Sequence, residues 1–249
     1  MKKLAGLLLL LLTVSSSQAQ IDTVNTQTGK LNTAALQQGA ASYAVFFTDS
    51  AGNRTSSADI WDRSLRFDTA PDGRKIYRFN WKAYRKDSLV IDVAATGLLP
   101  SMQPLTHEGN YPTFKRSLSV VWNNNVATVP VEKQRTAKDS SFRVAMQQAA
   151  YEFPMDMELF ALLPFKKAGK KFVMAFYEPG SPASAYYPLT VLGKEDLPVG
   201  GNETVSCWLL RIDYKPGSFA TFWIADKNRQ VLKMKEFFNG RYRYKVRLF

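Results

Sequence analysis

One histidine and one cysteine set a low ceiling on the chemistry available to this chain. A zinc or iron cage takes three or four ligands, so His107 and Cys207 would leave carboxylates to supply the rest. The sequence predicts no metal and no cofactor. A serine triad would need His107 as its base, and no Gly-x-Ser-x-Gly elbow presents a partner serine. Cys207 lies between Ser206 and Trp208 in an apolar strand, where a small buried residue is expected. Reactive thiols favour helix N-termini and basic pockets.

Paired carboxylates could run glycoside chemistry. Asp156 and Glu158 are two residues apart in a short helical segment, so they point to different sides and read as partners of the helix dipole. Glu195 and Asp196 sit in Gly193-Lys194-Glu195-Asp196, which reads as a solvated turn. Asp92 is an acid within an apolar strand, where period-two alternation can give it the wet face. No glycine-rich phosphate cradle occurs. The expectation is a protein that is not an enzyme.

The elements that would position these groups are mostly strands. Arg241 to Phe249 alternates Tyr242, Tyr244, Val246 and Leu248 with Arg241, Arg243, Lys245 and Arg247, the period of a strand with one buried and one wet face. The cations are assigned to the wet face. Asn239-Gly240 before it is a hairpin turn, because both residues tolerate positive φ. Strands are expected over 204–214, 219–225, 231–238 and 241–249 as a closing meander, with Leu232 and Met234 inward. Upstream, strands are expected over 43–48, 58–68, 75–85, 89–95, 113–122, 126–131, 172–178 and 186–192, with an irregular stretch over 98–112. Short helices are expected over 33–38, 140–150 and 155–163, the last opened by Pro154 and stopped by Pro164. This is α+β, mainly β: about eleven strands in a curved antiparallel half-barrel around two or three short helices.

Residues 1–19 read as a cleavable export signal: Lys2 and Lys3, an eleven-residue apolar run from Leu4 to Val14, and small residues at Ser17 and Ala19. That run is too short to span a bilayer, which takes about 20 residues. Residues 20–249 are read as one domain, periplasmic or secreted. The formal charge is +12, and loss of the two signal lysines leaves +10. Beyond an export signal the polyanions at hand are lipid headgroups and envelope glycans, so nucleic acid is not expected as a partner. A membrane barrel is excluded on the assignment that the cationic face looks outward, because each cation at the lipid midplane costs about 2–4 kcal/mol.

A curved sheet must cover its apolar face. Trp61, Trp81, Trp122, Trp208 and Trp223 all fall in expected strands. With Leu159 and Leu163 of the capping helix, they are assigned to the wall of an apolar cavity. Arg241, Arg243, Lys245 and Arg247 are assigned to an anionic surface contact.

Leu36-Gln37-Gln38-Gly39 with Tyr43-Ala44-Val45, Leu98-Leu99-Pro100, Leu159 to Pro164 with Gly169, and Tyr187 with Val191-Leu192-Gly193 together resemble an exported bacterial family of unknown function. Trp208, Phe222 to Asp226 and Val231 to Met234 resemble its closing meander. Phe153-Pro154-Met155-Asp156 replaces the family's Asp-x-x-Ser lead into the central helix. The resemblance implies a fold similar to the lipoprotein carriers LolA and LolB, half-barrels that hold acyl chains. It implies a lipid, an acyl chain or another apolar molecule as ligand, with a monomer touching the membrane only peripherally. The other reading is an envelope protein with a filled core that acts through a protein partner.

Overall fold

The computed structural model describes residues 21–249, so the export-signal reading lies outside the described residues. Strands dominate: β1 (Asp22–Val24), β2 (Gly39–Thr48), β3 (Asp59–Thr69), β4 (Lys75–Arg85), β5 (Ser88–Leu98), β6 (Pro104–Tyr111), β7 (Arg116–Asn123) and β8 (Val126–Thr128). Helix α1 (Ala137–Ser141) follows, then β9 (Arg143–Ala145), β10 (Tyr151–Glu152) and helix α2 (Asp156–Phe160). The chain closes with β11 (Lys171–Tyr177), β12 (Ala185–Gly200), β13 (Glu203–Lys215), β14 (Ser218–Ala225), β15 (Val231–Phe238) and β16 (Arg241–Arg247). Among the described residues no helix is long and apolar enough to cross a membrane.

All sixteen strands belong to one curved open sheet, ordered β1-β11-β12-β13-β14-β15-β16-β2-β3-β4-β5-β6-β7-β8-β9, with β10 beside β11. The expected meander is present, turned by Asn239 and Gly240 at φ 50° and 75°. Strand β16 pairs with β2, which joins the two halves of the chain into one surface.

The expected eleven strands were too few because short or polar segments were passed over. The supposedly irregular stretch contains β6, whose Thr106, His107 and Glu108 pair with both neighbours. The helix expected over 140–150 is instead the end of α1 followed by β9, because Val144 pairs with Ala127 at the sheet edge. Its imperfect apolar stripe yields to ladder bonding.

The registers define one continuous inner face: Tyr43, Trp61, Arg63, Leu65, Phe79, Ala95, His107 and Val120 on one flank, and Met234, Phe222, Leu210, Val191 and Met174 on the other. The sheet rolls up on itself, and among the described residues its two edges are not joined by a strand ladder. Val120 and Trp122, on the inner face of β7, pack against Ala175 and Tyr177 on the outer face of β11. Strand β11 is therefore buried on both faces, which explains its unbroken run Phe172 to Tyr177.

Inside the roll lies the segment 153–165, a turn of 3-10 helix (Phe153–Met155), then α2, then a tight turn through Leu163. It is shorter as a helix than its sequence suggests. Met155, Met157, Leu159, Phe160, Leu162 and Leu163 are all buried, so tertiary burial holds it and helical periodicity does not. The Phe160 ring meets those of Phe176 and Phe222 at 5.7 and 5.0 Å.

The faces of β16 are the reverse of the sequence assignment. Lys245 is 4% exposed, and Arg243 and Arg247 share its side, which looks into the roll. Tyr242, Tyr244 and Val246 look outward, and Leu248 is exposed. Acids on the plug draw the cations inward, an attraction between segments more than 80 residues apart that alternation cannot reveal. The sequence argument against a membrane barrel rested on that assignment and falls with it. The outer faces of β3 to β5 carry exposed ion pairs, Asp68–Arg78 at 2.6 Å and Asp92–Lys82 at 3.4 Å.

Candidate functional site

The plug is tied to the wall by buried charge. Arg63, inside β3, donates from Nε to Glu158 Oε1 at 3.1 Å and from an Nη to Oε2 at 2.5 Å, and also to the Pro154 carbonyl at 2.7 Å. Its guanidinium lies 3.7 Å from Asp156 as well. A planar fork can hold two carboxylates that lie on different sides of the helix. Asp156 and Glu158 therefore bind a cation rather than serving only the helix dipole. Lys245 approaches Asp156 from β16 at 3.8 Å. Burial pushes the Lys245 ammonium down to about 8, opposed by Asp156.

Beside this network a cleft of about 410 Å³ opens at the end of the roll marked by Lys215 and Asn239. Its wall is aromatic: Trp61 and Trp81 lie with ring centroids 4.7 Å apart, and Phe153, Tyr214 and Phe238 continue the surface. Its polar lining is Arg63, Arg243, Lys245, Asp156, Glu178 and Glu236. Lys245 and Arg243 stand over the Trp61 ring at 4.8 and 5.8 Å. Arg243 pairs with Glu236 at 2.5 Å, yet its Nε is buried without a partner, as is Trp81 Nε1. Glu178 borders the cleft, and the residue as a whole remains exposed. Burial pushes its carboxyl up to about 7, with Glu152 and Asp156 adding to the rise and His107 opposing it. Among the described residues no donor bonds its carboxylate. Half-protonated near neutrality, it can both give and accept a hydrogen bond.

The five tryptophans do not share one cavity. Trp61 and Trp81 line the cleft. Trp208 packs on Phe165 and donates to Asp226 at 2.6 Å, at a distance from it in the core. Trp122 sits in the overlap with Tyr177. Trp223 lies on the outer face with Cys207 and Leu232, donating to Glu195 at 3.0 Å. Glu195 is thus a strand acid with a partner, not part of a solvated turn. Leu232 is outward through an irregularity in the β14–β15 register, while Met234 is inward. Leu159 and Leu163 are core residues of the plug. Of the four cations, Arg243 and Lys245 line the cleft and Arg247 lines a smaller hollow of about 120 Å³ at the other end of the plug. Arg241 alone is exposed, over the rings of Phe47 and Phe238.

Sequence reasoning missed Arg63, Glu178 and Glu236, whose only signal was a charge on the apolar side of an alternating strand or beside one. It also placed His107 in an irregular stretch, whereas the residue lies in β6. Fully buried, His107 Nδ1 bonds Glu152, which is likewise buried. Gly109 makes the space, since a Cβ there would lie 2.7 Å from His107 Nε2 and 2.8 Å from the Tyr111 ring. Cys207 is buried as expected, and burial raises its thiol to about 11. Among the described residues no group of three or more metal-ligating side chains converges.

No curated protein matches the chain significantly. Among solved structures, the chain is similar to a beta-barrel-like protein of a domain of unknown function, DUF1849, from Brucella abortus, at TM-score 0.48 and 11% identity over 84% of this chain and 95% of that one. It is also similar to a candidate lipoprotein from Parabacteroides distasonis, at TM-score 0.29 and 8% identity over 85% and 94% of the two chains. Likeness at this level carries no argument about function. A family model described as a protein of unknown function matches residues 40–247, and the chain belongs to that family, DUF3108.

Proposed function

We propose that this is an exported, non-enzymatic binding protein whose cleft takes a small amphipathic ligand. The ligand's apolar part rests on Trp61, Trp81 and Phe153, and its polar end meets Arg243 and Glu178. The observation that carries this reading is the pair of buried, unpartnered donors, Trp81 Nε1 and Arg243 Nε, on the wall of an aromatic cleft. An unmet buried donor costs about 1–3 kcal/mol, which a ligand acceptor would recover. The cleft volume falls within the usual range for small-molecule sites, about 300–1,000 Å³.

The plug bears on ligand class. Its own side chains fill the interior of the roll, so the long sheltered acyl chain that the resemblance to LolA and LolB implied fits less well than a compact lipid-like molecule with a polar end. Solvent extraction of the purified protein followed by mass spectrometry tests the proposal. A near-equimolar amphiphile is expected from the wild type and not from Trp81→Ala with Arg243→Met. The same plug favours a second reading, a filled-core protein acting through a protein partner, and extracts free of any such molecule would support it.

A further inference from the structure

The outward side of β16 belongs to a surface that the cleft does not use. Five rings run across four adjacent strands of the convex face. Phe46 stacks on Tyr244 at 5.3 Å, Tyr244 meets Tyr242 at 6.5 Å, Tyr242 meets Phe237 at 5.0 Å, and Phe237 meets Phe219 at 5.8 Å. Each ring remains partly exposed. Cations stand among them: Lys235 lies 4.2 Å from the Tyr242 centroid, Arg211 3.9 Å from that of Phe219, and Arg54 5.2 Å from that of Phe46.

Acids are missing from this face. Strands β2, β14 and β16 contain no Asp or Glu, and the one acid of β15, Glu236, points inward to Arg243. At the margin, Asp213 is held by Arg211 at 2.8 Å. The neighbouring outer faces of β3 to β5 differ, since there cations and carboxylates alternate and pair.

Tyrosine and tryptophan concentrate where a bilayer meets water, and Lys or Arg near an anionic leaflet each add about 1 kcal/mol of attraction. We infer that the convex face of β14, β15, β16 and β2 docks on an anionic lipid bilayer surface, with Tyr242, Tyr244 and Phe237 at the headgroup level and Lys233 and Lys235 on lipid phosphates. This docking is peripheral. It stands independently of the cleft.

Co-sedimentation of the mature chain with vesicles tests it, using phosphatidylcholine alone and phosphatidylcholine mixed equally with phosphatidylglycerol. The wild type is expected to pellet with the mixed vesicles, to stay in solution with the neutral ones, and to be released by salt. Lys233→Gln with Lys235→Gln is expected to weaken binding about thirtyfold while leaving the melting temperature and the extracted ligand unchanged. Equal binding to both vesicles, absence of binding, or insensitivity to salt would overturn the inference, and these arms need no variant. So would a dimer in sedimentation velocity that Tyr244→Ser dissociates, since the face would then belong to a second copy of the chain.

Discussion

The Nζ of Lys245 lies 3.8 Å from the Asp156 carboxylate, so the last strand of the chain sets a buried charge beside the plug. The second contact of that ammonium is the Met157 sulfur at 3.9 Å. Around it stand Arg63 and Arg243, whose charges oppose its own, and Glu236, which favours it. The lysine is thus costly where it sits, and its worth must come from the site it lines.

That cost has a pH signature. Folded Lys245 gives up its proton near pH 8, whereas the unfolded chain keeps one to about 10.5. Between those values the unfolded state binds more protons, so this group's contribution makes stability rise with pH. Lys245→Met keeps the aliphatic stem and removes the charge. It is expected to flatten that part of the stability–pH profile and to raise stability at pH 7 by roughly 1–3 kcal/mol in urea unfolding.

Glu178 gives the opposite slope in another window. Its folded carboxyl holds a proton to about pH 7, while an unfolded glutamate releases it near 4.5. Its stabilising contribution is complete below 4.5 and falls away as pH rises to 7. Glu178→Gln should remove this decline, which thermal melts of the two proteins at half-unit steps from pH 4 to pH 8 would record.

Arg63 should be among the least replaceable residues of the chain. Arg63→Met leaves Glu158 and Asp156 facing a dry wall without their shared fork. Losing one partner of a buried pair costs about 3–5 kcal/mol. Arg241→Met, at an exposed position, should stay within about 0.5 kcal/mol by the same urea titration.

His107 is expected to matter for folding, not turnover. His107→Phe strands the Glu152 carboxylate where solvent cannot reach it, at a cost of about 3 kcal/mol or more. Adding Glu152→Leu to that variant should restore part of the loss, since removing both partners leaves no orphan. A double-mutant cycle on unfolding free energy measures the coupling.

Much of the architecture could be read from the residues. The strands β3, β4 and β13 to β16 announce themselves through alternation, and Asn239-Gly240 marks the turn between the last two. The roll could not be read, because it depends on Trp122 meeting Tyr177 across the overlap of two remote strands. The polarity of β16 was misread for a definite reason: alternation separates two faces but does not say which is buried when one is aromatic and the other cationic. Arg63 and Glu178 escaped notice likewise, each meaningful only beside groups distant in sequence. Trp61 and Trp81 were named only as two of five tryptophans in expected strands; their meeting follows from the β3–β4 register, which sets Trp61 opposite Ala83 and Trp81 opposite Arg63.

Thiol labelling of Lys245→Cys and Tyr244→Cys, each in a Cys207→Ala background, tests most directly whether the cations of the last strand line the interior site. Tyr244→Cys should react with a maleimide at nearly the rate of a free thiol, and Lys245→Cys only on unfolding in urea. Rapid labelling at position 245 with protection at 244 would contradict the account.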